Sequence, residues 1–523
     1  MDIGSPHIER LLARLAQVDT DDPWSAYTGP RFQTNAITSR AGAVYEKVRY
    51  AVDYQEENLI RRAAIERILR RLVLFESSSE LGTQLLTDLV RGGYIRTDTL
   101  PEAIAREVQE LIEKYRVLAT RLGSETPPVI WSYAAAEIEQ HLFPAHRDAA
   151  VLDALYAHVL EYVAPREPEA VDDAFFKLEV YIACRRLFLR DGPAETRFAL
   201  FAAMHPHWRS LSGADEEGIA EVAARFAAIE REIDGLLASP LSFKIEAYLK
   251  NEAIYFSLVR RMIAQFGAEA REVFAEPERL AGKVRTYMHE NYRALADRTA
   301  RAGTRAIIYV LITKVIVGLA VELPYELLVL GEIHYLPLAV NMLFFPILLF
   351  FMVKTVQLPG PENTEAAVTG VQTLVAGHPH PQIFVPVAER SLVQKLSFGL
   401  FYLIFAGLSF GAIVWCLLAL NFNLASMGLF LFFLTVVSYF GLRIRYRARE
   451  WTVERGEESV LGLVWYLLSL PVIRTGRWVA TRLSSVNVFV LFMDVILETP
   501  FKLLLGSFDA FITFAKETKR ESV

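Results

Sequence analysis

Cysteine is scarce in this sequence, since Cys184 and Cys416 are the only two in 523 residues. Two isolated thiols exclude a disulfide framework and a thiolate metal cluster. Three familiar patterns of catalytic and nucleotide-binding sites are also missing: the chain has no G-x-x-x-x-G-K-[ST], no G-x-G-x-x-G and no H-E-x-x-H. We therefore predict no enzymatic activity and no cofactor. The net charge of −6 is too small to indicate a nucleic-acid partner.

Histidine offers few metal-binding patterns. Glu137 and His141 share a helix face, with His146 close by, but a zinc site needs a third protein ligand in fixed geometry. The doublets HPHW (205–208) and HPHP (378–381) are typical of loops, because a proline-spaced pair alone does not chelate tightly. The sequence therefore predicts no metal site.

Long uncharged runs dominate the second half of the chain. Each of four runs approaches or exceeds the roughly 20 apolar residues that cross a bilayer, and they occupy residues 306–321, 335–353, 398–420 and 424–442. Soluble cores rarely contain four such runs in succession. The sequence therefore predicts a polytopic α-helical membrane protein whose partners include the lipid bilayer.

Basic residues lie on one side of these runs. Arg305 precedes the first run, Lys354 follows the second, Lys395 precedes the third, and RIRYRAR (443–449) follows the fourth. The loops at the opposite ends contain no Lys or Arg, so the positive-inside rule predicts that both termini are cytosolic. The first residues have no uninterrupted apolar core, which favours a cytosolic front half without a signal peptide.

The front half, 1–303, has helical periodicity almost throughout. In 101–123 the apolar positions include Ile104, Val108 and Ile112, and in 218–233 they recur at three- and four-residue steps. Strand-like alternation of useful length is missing. We predict a large all-α cytosolic domain.

One predicted helix, 58–75, is strongly basic. Contact with anionic lipid headgroups is one interpretation, and a solvated face neutralised by neighbouring acids is the favoured alternative. The candidate headgroup-binding residues here and after the fourth run are Arg61, Arg62, Arg67, Arg70, Arg71, Arg443, Arg445 and Arg447.

Glu322 and Glu326 bracket Pro324 where the first run should end. Because proline lacks an N–H, we expect the helix to stop near Glu322, with a short new helix ending at Gly331. LETPFKLLLG (497–506) repeats this pattern, with Pro500 and Gly506 at the matching positions. Convergence of two helix breaks is favoured over a distant internal repeat.

Lys314 lies deep in the first run, where an unpartnered lysine costs roughly 2.5–3.5 kcal/mol. It needs a partner or a water path, and both a structural bond and an ion pathway remain open. The candidate ion-pathway residues are Lys314, Glu322, Glu326, Glu332, His334 and Asn341.

The third and fourth runs offer little polar chemistry. Gly407 and Gly411 form a G-x-x-x-G pattern that allows close helix packing. The apolar segments 459–473 and 486–497 are separated by arginines and are expected to lie in the membrane interface; a fifth and a sixth span are the alternative that stays open.

The predicted organisation is a cytosolic domain, two transmembrane hairpins joined by a cytosolic crossover, and an interfacial tail. The boundaries are 1–303, 304–354, 355–396, 397–442 and 443–523. Two functions fit. The favoured one is a membrane-anchored, homo-oligomeric scaffold whose cytosolic domain binds a protein partner, and the alternative is an ion or proton channel or transporter subunit.

Overall fold

The protein forms two compact units in a computed structural model. Among the described residues, unit 1 comprises those up to Ala275 together with Leu374–Val387, and unit 2 comprises those within Glu276–Thr373 and Ala388–Asp494. The structure describes residues 3–15, 24, 27–32, 57–75, 80–95, 99–123, 127–332, 334–356, 359–387, 391–453 and 460–485. Pro500 and Gly506 lie outside them.

Helices account for 82% of the structure, which confirms the all-α class. In unit 1 the helices are α1 (Pro6–Leu15), α2 (Glu57–Phe75), α3 (Leu81–Arg91), α4 (Ile104–Leu122), α5 (Val129–Leu142), α6 (His146–Val159), α7 (Asp173–Phe188), α8 (Pro193–Met204), α9 (Glu216–Ala238), α10 (Leu241–Phe266) and α11 (Ala270–Ala275). Short 3-10 turns occur at Pro168–Ala170, Pro206–Ser210 and Gly267–Glu269.

The core of unit 1 follows the helical periodicity of its sequence. On α4 the residues Ile104, Val108 and Ile112 are fully buried, one or two turns apart. On α9 the buried stripe includes Phe226 and Ile229. Full burial of such side chains contributes about 1.5–3 kcal/mol each, so these faces hold the helices together.

The arginines of α2 are engaged within unit 1. Arg61 donates to Glu139 at 3.0 Å, and Arg67 donates to the hydroxyl of Tyr94 at the same distance. Further ion pairs on this helix join Arg62 to Glu66 and Glu195, Arg70 to Glu66, and Arg71 to Asp88. This pairing favours neutralised charges over headgroup contact, although the neutralising acids lie mostly on other helices.

Part of the predicted crossover belongs to unit 1. Two three-residue strands, β1 (Val163–Pro165) and β2 (Ile383–Val385), pair in parallel. Lys244 donates to the carbonyl of Pro386 at 2.9 Å, and the N–H of Val387 donates to Glu167 at 2.9 Å. These bonds attach the 374–387 segment to unit 1.

Unit 2 contains four helices that are long and apolar enough to cross a membrane. Its helices are α12 (Pro277–Val317), α13 (Tyr335–Lys354), α14 (Pro361–Ala376, of which the last three residues belong to unit 1), α15 (Leu392–Ala419), α16 (Leu424–Ala448) and α17 (Val460–Ser485). The four candidate spans are α12 with its continuation, α13, α15 and α16, and between 11% and 39% of their most apolar windows is buried. Large exposed apolar surfaces of this kind mark contact with lipid or protein.

The expected domain boundary at residue 303 falls inside α12. This helix begins at Pro277, and its first half belongs to unit 2 rather than to the front domain. Arg285 on α12 binds Glu365 on α14 through both carboxylate oxygens, at 2.7 and 2.8 Å. The amide of Asn363 donates to the hydroxyl of Tyr292 at 2.6 Å, which fixes α14 to α12 a second time.

The helix break predicted at Pro324 is wrong. The chain passes through Pro324 as a short α-helical turn, Leu323–Tyr325, flanked by π-helical turns at Gly318–Glu322 and Glu326–Leu330. A π turn is wider than an α turn, so it accommodates a residue that cannot donate the usual backbone bond. Gly331 does end the helix, in the left-handed conformation with a φ of 74°.

Helix packing in unit 2 uses other glycines than the sequence pattern indicated. A Cβ added at Gly407 or Gly411 would meet nothing within 4 Å, so this face of α15 is open in the described chain. Close contacts occur instead at glycines such as Gly303 against Val353 and Gly441 against Met352, where an added Cβ would approach the neighbour to 2.5 and 2.6 Å.

Helix α17 packs along α15 and α16 instead of lying apart from them. The hydroxyl of Ser409, near the middle of α15, donates to the carbonyl of Leu468 at 2.6 Å. This contact between α17 and the middle of α15 differs from the interfacial placement that we expected for 459–473. Residues 486–497 lie outside the described part.

We expect Gly476→Ala to destabilise unit 2 by about 1–3 kcal/mol, the usual cost of overpacking. A Cβ at Gly476 would overlap the carbonyl oxygen of Thr435, so α17 would have to move away from α16. Gly407→Ala is the matched control, because open space surrounds it and alanine gains up to about 1 kcal/mol in a helix. Thermal unfolding in detergent compares the two, and equal midpoints would contradict this packing.

Candidate functional site

Three polar side chains of the first two candidate spans form one chain of hydrogen bonds. Lys314 on α12 donates from Nζ to Oδ1 of Asn341 on α13 at 2.8 Å. Asn341 in turn donates from Nδ2 to Oε1 of Glu322 at 2.7 Å. The Lys314 ammonium lies 3.7 Å from the same carboxylate oxygen. The asparagine therefore bridges an ion pair within one helical hairpin.

Aromatic rings enclose the lysine. The Lys314 ammonium lies 4.0 Å from the ring centre of Phe433 on α16 and 4.7 Å from that of Phe345 on α13. A cation over an aromatic face gains about 2 kcal/mol or more when desolvated. Two aromatic rings therefore stabilise the ammonium in addition to its bond with Asn341.

Burial separates this cluster from solvent. Lys314 is 1% exposed, Asn341 is fully buried and Glu322 is 4% exposed. A buried charge pair is tolerated only when hydrogen bonds satisfy both partners. One atom departs from this rule: Oε2 of Glu322 is buried and has no hydrogen-bond partner among the described residues.

Glu326 belongs to a second, smaller group near the end of the same helix. It is 1% exposed, and its Oε2 accepts from the backbone N–H of His334 at 2.9 Å. The side-chain amide of Asn423 lies 3.5 Å from Oε1. Glu332, in contrast, is exposed. Glu322 and Glu326 therefore lie inside the protein, whereas Glu332 is exposed, and the ion pathway through these residues stays a hypothesis.

The basic segment after the fourth run continues α16. Arg445 donates to the hydroxyl of Thr355 at 3.0 Å, and Arg443 is exposed. The side chain of Arg447 lies outside the described part. Headgroup contact by these residues stays a prediction.

Residues 407–411 read GLSFG and so match the G-x-S-x-G pattern of hydrolase nucleophile elbows. That motif needs a strand–turn–helix context that exposes the serine. Ser409 instead lies within α15, and its Oγ lies 2.8 Å from the carbonyl oxygen of Phe405 and 2.6 Å from that of Leu468. The match carries no catalytic meaning here.

The residues of the weak metal-binding pattern, Glu137 and His141, bind other side chains. Glu137 accepts from Lys114 and from the hydroxyl of Tyr115, both at 2.6 Å. His141 pairs with Glu107 at 2.8 Å. These bonds direct the two side chains to different neighbours, so they do not form a site with His146.

No protein-family model, no curated protein and no solved structure matches this chain. Function must therefore be argued from its own residues.

Proposed function

We propose that the protein is a membrane-anchored helical scaffold. In this proposal the four apolar helices of unit 2 cross a bilayer, both termini are cytosolic, and unit 1 binds a protein partner. The observation that carries it is that Lys314, Asn341 and Glu322 are buried and bind one another. The lysine and glutamate charges compensate one another, and the rings of Phe345 and Phe433 lie against the ammonium.

The surfaces of the two units support different roles. Unit 2 carries most of the large exposed apolar side chains, including Leu328 at 85% and Leu403 at 68% exposure, as a membrane anchor requires. In the described part of unit 1 such side chains are few and scattered, and they comprise Leu74, Phe243, Tyr248 and Phe384. A unit with this surface is suited to stay in water.

An ion or proton transporter is the second candidate, and one observation favours it. Glu322 keeps one carboxylate oxygen without a hydrogen bond, and it lies in a π-helical turn. Such turns occur frequently at functional sites. A carboxylate with a spare acceptor at this depth is the group that could accept a proton.

The two proposals differ in what neutralisation of the cluster does. Under the scaffold proposal the variant Lys314→Met/Glu322→Gln anchors unit 1 as before, so chemical cross-linking in cells yields the same cross-linked proteins as wild type. Equal membrane levels of the two chains, checked by quantitative blotting, are the control. A phenotype lost in this variant while the cross-links persist would favour transport instead.

A further inference from the structure

Three side chains from distant parts of the sequence meet inside unit 1. His158 lies in the last turn of α6, Glu252 lies within α10, and His380 lies in the connection between α14 and β2. One side-chain donor atom from each lies within 4.8 Å of the others. The helices thus bring two imidazoles and a carboxylate to one point.

The atoms that face each other are too far apart for hydrogen bonds. Nε2 of His158 is 3.6 Å from Oε2 of Glu252, and Nδ1 of His380 is 3.8 Å from Oε1. Nε2 of His158, Oε2 of Glu252, Nε2 of His380 and the hydroxyl of Tyr162 are all buried without a hydrogen-bond partner among the described residues.

Unpartnered polar atoms are expensive, at about 1–3 kcal/mol for each buried group. Several such atoms in one place therefore indicate a ligand that binds them all. Among the described residues none forms a hydrogen bond with these four atoms, and Nε2 of His7, whose ring packs against His158, lies 2.7 Å from Oε1 of Glu161. A cation coordinated by the three side chains would satisfy them together.

The donor set selects the class of cation. Two imidazoles and one carboxylate suit zinc and other divalent transition metals, whereas Ca²⁺ and Mg²⁺ prefer oxygen ligands. With zinc–nitrogen bonds of 2.0–2.1 Å, ligand atoms on a tetrahedral ion lie roughly 3.3 Å apart. Nε2 of His158 lies 3.6 Å from Oε2 of Glu252, close to this value, and the three donor atoms all lie within 4.8 Å of one another, so side-chain rotation is needed to bring them onto one ion.

We propose that His158, Glu252 and His380 bind one divalent transition-metal ion, with zinc as the reference ion. The ion fastens the 374–387 segment, which lies in sequence between the two candidate transmembrane hairpins, to helices α6 and α10. This site differs from the sequence expectation of no metal, and it does not depend on the proposed function.

Neighbouring side chains support the ligands in the way that surrounding residues do in metal sites. The ring of Tyr162 stacks on His380 at 4.9 Å, and the ring of His7 packs edge-on against His158 at 5.5 Å.

The test uses the full chain, purified in detergent without a polyhistidine tag and stripped with a chelator. After incubation with ZnCl₂ and gel filtration, mass spectrometry of the metal content should find about one zinc per wild-type chain. We expect the dissociation constant to rise at least tenfold in His380→Ala and in Glu252→Gln. X-ray absorption at the zinc edge should show nitrogen and oxygen ligands with imidazole scattering.

His378→Ala is the matched control, since His378 is in the same HPHP motif but is exposed. It should keep the wild-type zinc content and affinity. Circular dichroism checks that each variant is folded. Zinc retention that is equal in His378→Ala and His380→Ala, or a wild-type chain that retains none, would overturn the proposal.

Discussion

Lys314→Met is expected to destabilise unit 2 by about 3–5 kcal/mol, because it leaves the charge of Glu322 buried without its cation. Glu322→Gln should also be strongly destabilising, since it removes the only carboxylate near the Lys314 ammonium in the described structure. The double variant should lose much less than the sum of the two, because no unpaired charge remains. Unfolding in mixed detergent micelles measures the three free energies.

Thr313→Val controls for changes on the same helix, since its hydroxyl bonds only the carbonyl one turn earlier. We expect an effect within about 0.5 kcal/mol. If the losses of unfolding free energy in the two single variants add up to the loss in the double variant, the charges of Lys314 and Glu322 are not coupled. That result would contradict a buried ion pair between them.

Lys114→Met should destabilise unit 1 by a similar amount, about 3–5 kcal/mol. Lys114 is 1% exposed, and its ammonium binds Glu137 at 2.6 Å and the carbonyl of Trp208 at 3.3 Å. Without it, the Glu137 carboxylate keeps only neutral donors, from Tyr115 and from the indole N–H of Trp208 at 3.1 Å. Burial already lowers the pKa of Lys114, against the opposing charge of Glu137.

The same helix supplies the control for Lys114. Arg116 pairs with Glu113 at 3.3 Å, but the two side chains are 38% and 48% exposed. Arg116→Met should therefore cost less than about 1 kcal/mol. Tryptophan fluorescence during urea unfolding follows both variants. Equal losses for Lys114→Met and Arg116→Met would contradict a buried network around Glu137.

The helical faces of unit 1 could be predicted from sequence because helical periodicity is local information. The apolar positions of α4 and α9 recur at a fixed spacing, so the buried side is visible without the fold. The grouping of Lys314 with Glu322 and Asn341 was also predictable, since a lysine at that depth needs a partner. The sequence did not reveal whether these three residues form a structural hydrogen-bond network or an ion pathway.

Other features depend on neighbours that no spacing reveals. Pro324 usually ends a helix, yet two π turns carry the helix past it. Gly407 and Gly411 have the spacing of a packing motif, but the helices of this chain meet at Gly441 and Gly476 instead. His158, Glu252 and His380 are far apart in sequence, and only the HPHP doublet pointed to one of them.

Proton flux into liposomes that contain the purified chain tests the central claim most directly. The account predicts that wild-type protein under a pH gradient gives the same rate as empty liposomes, because the charges of Lys314 and Glu322 compensate each other inside the protein. A wild-type flux that disappears in folded Lys314→Met/Glu322→Gln would contradict it and make Glu322 part of a conduction path.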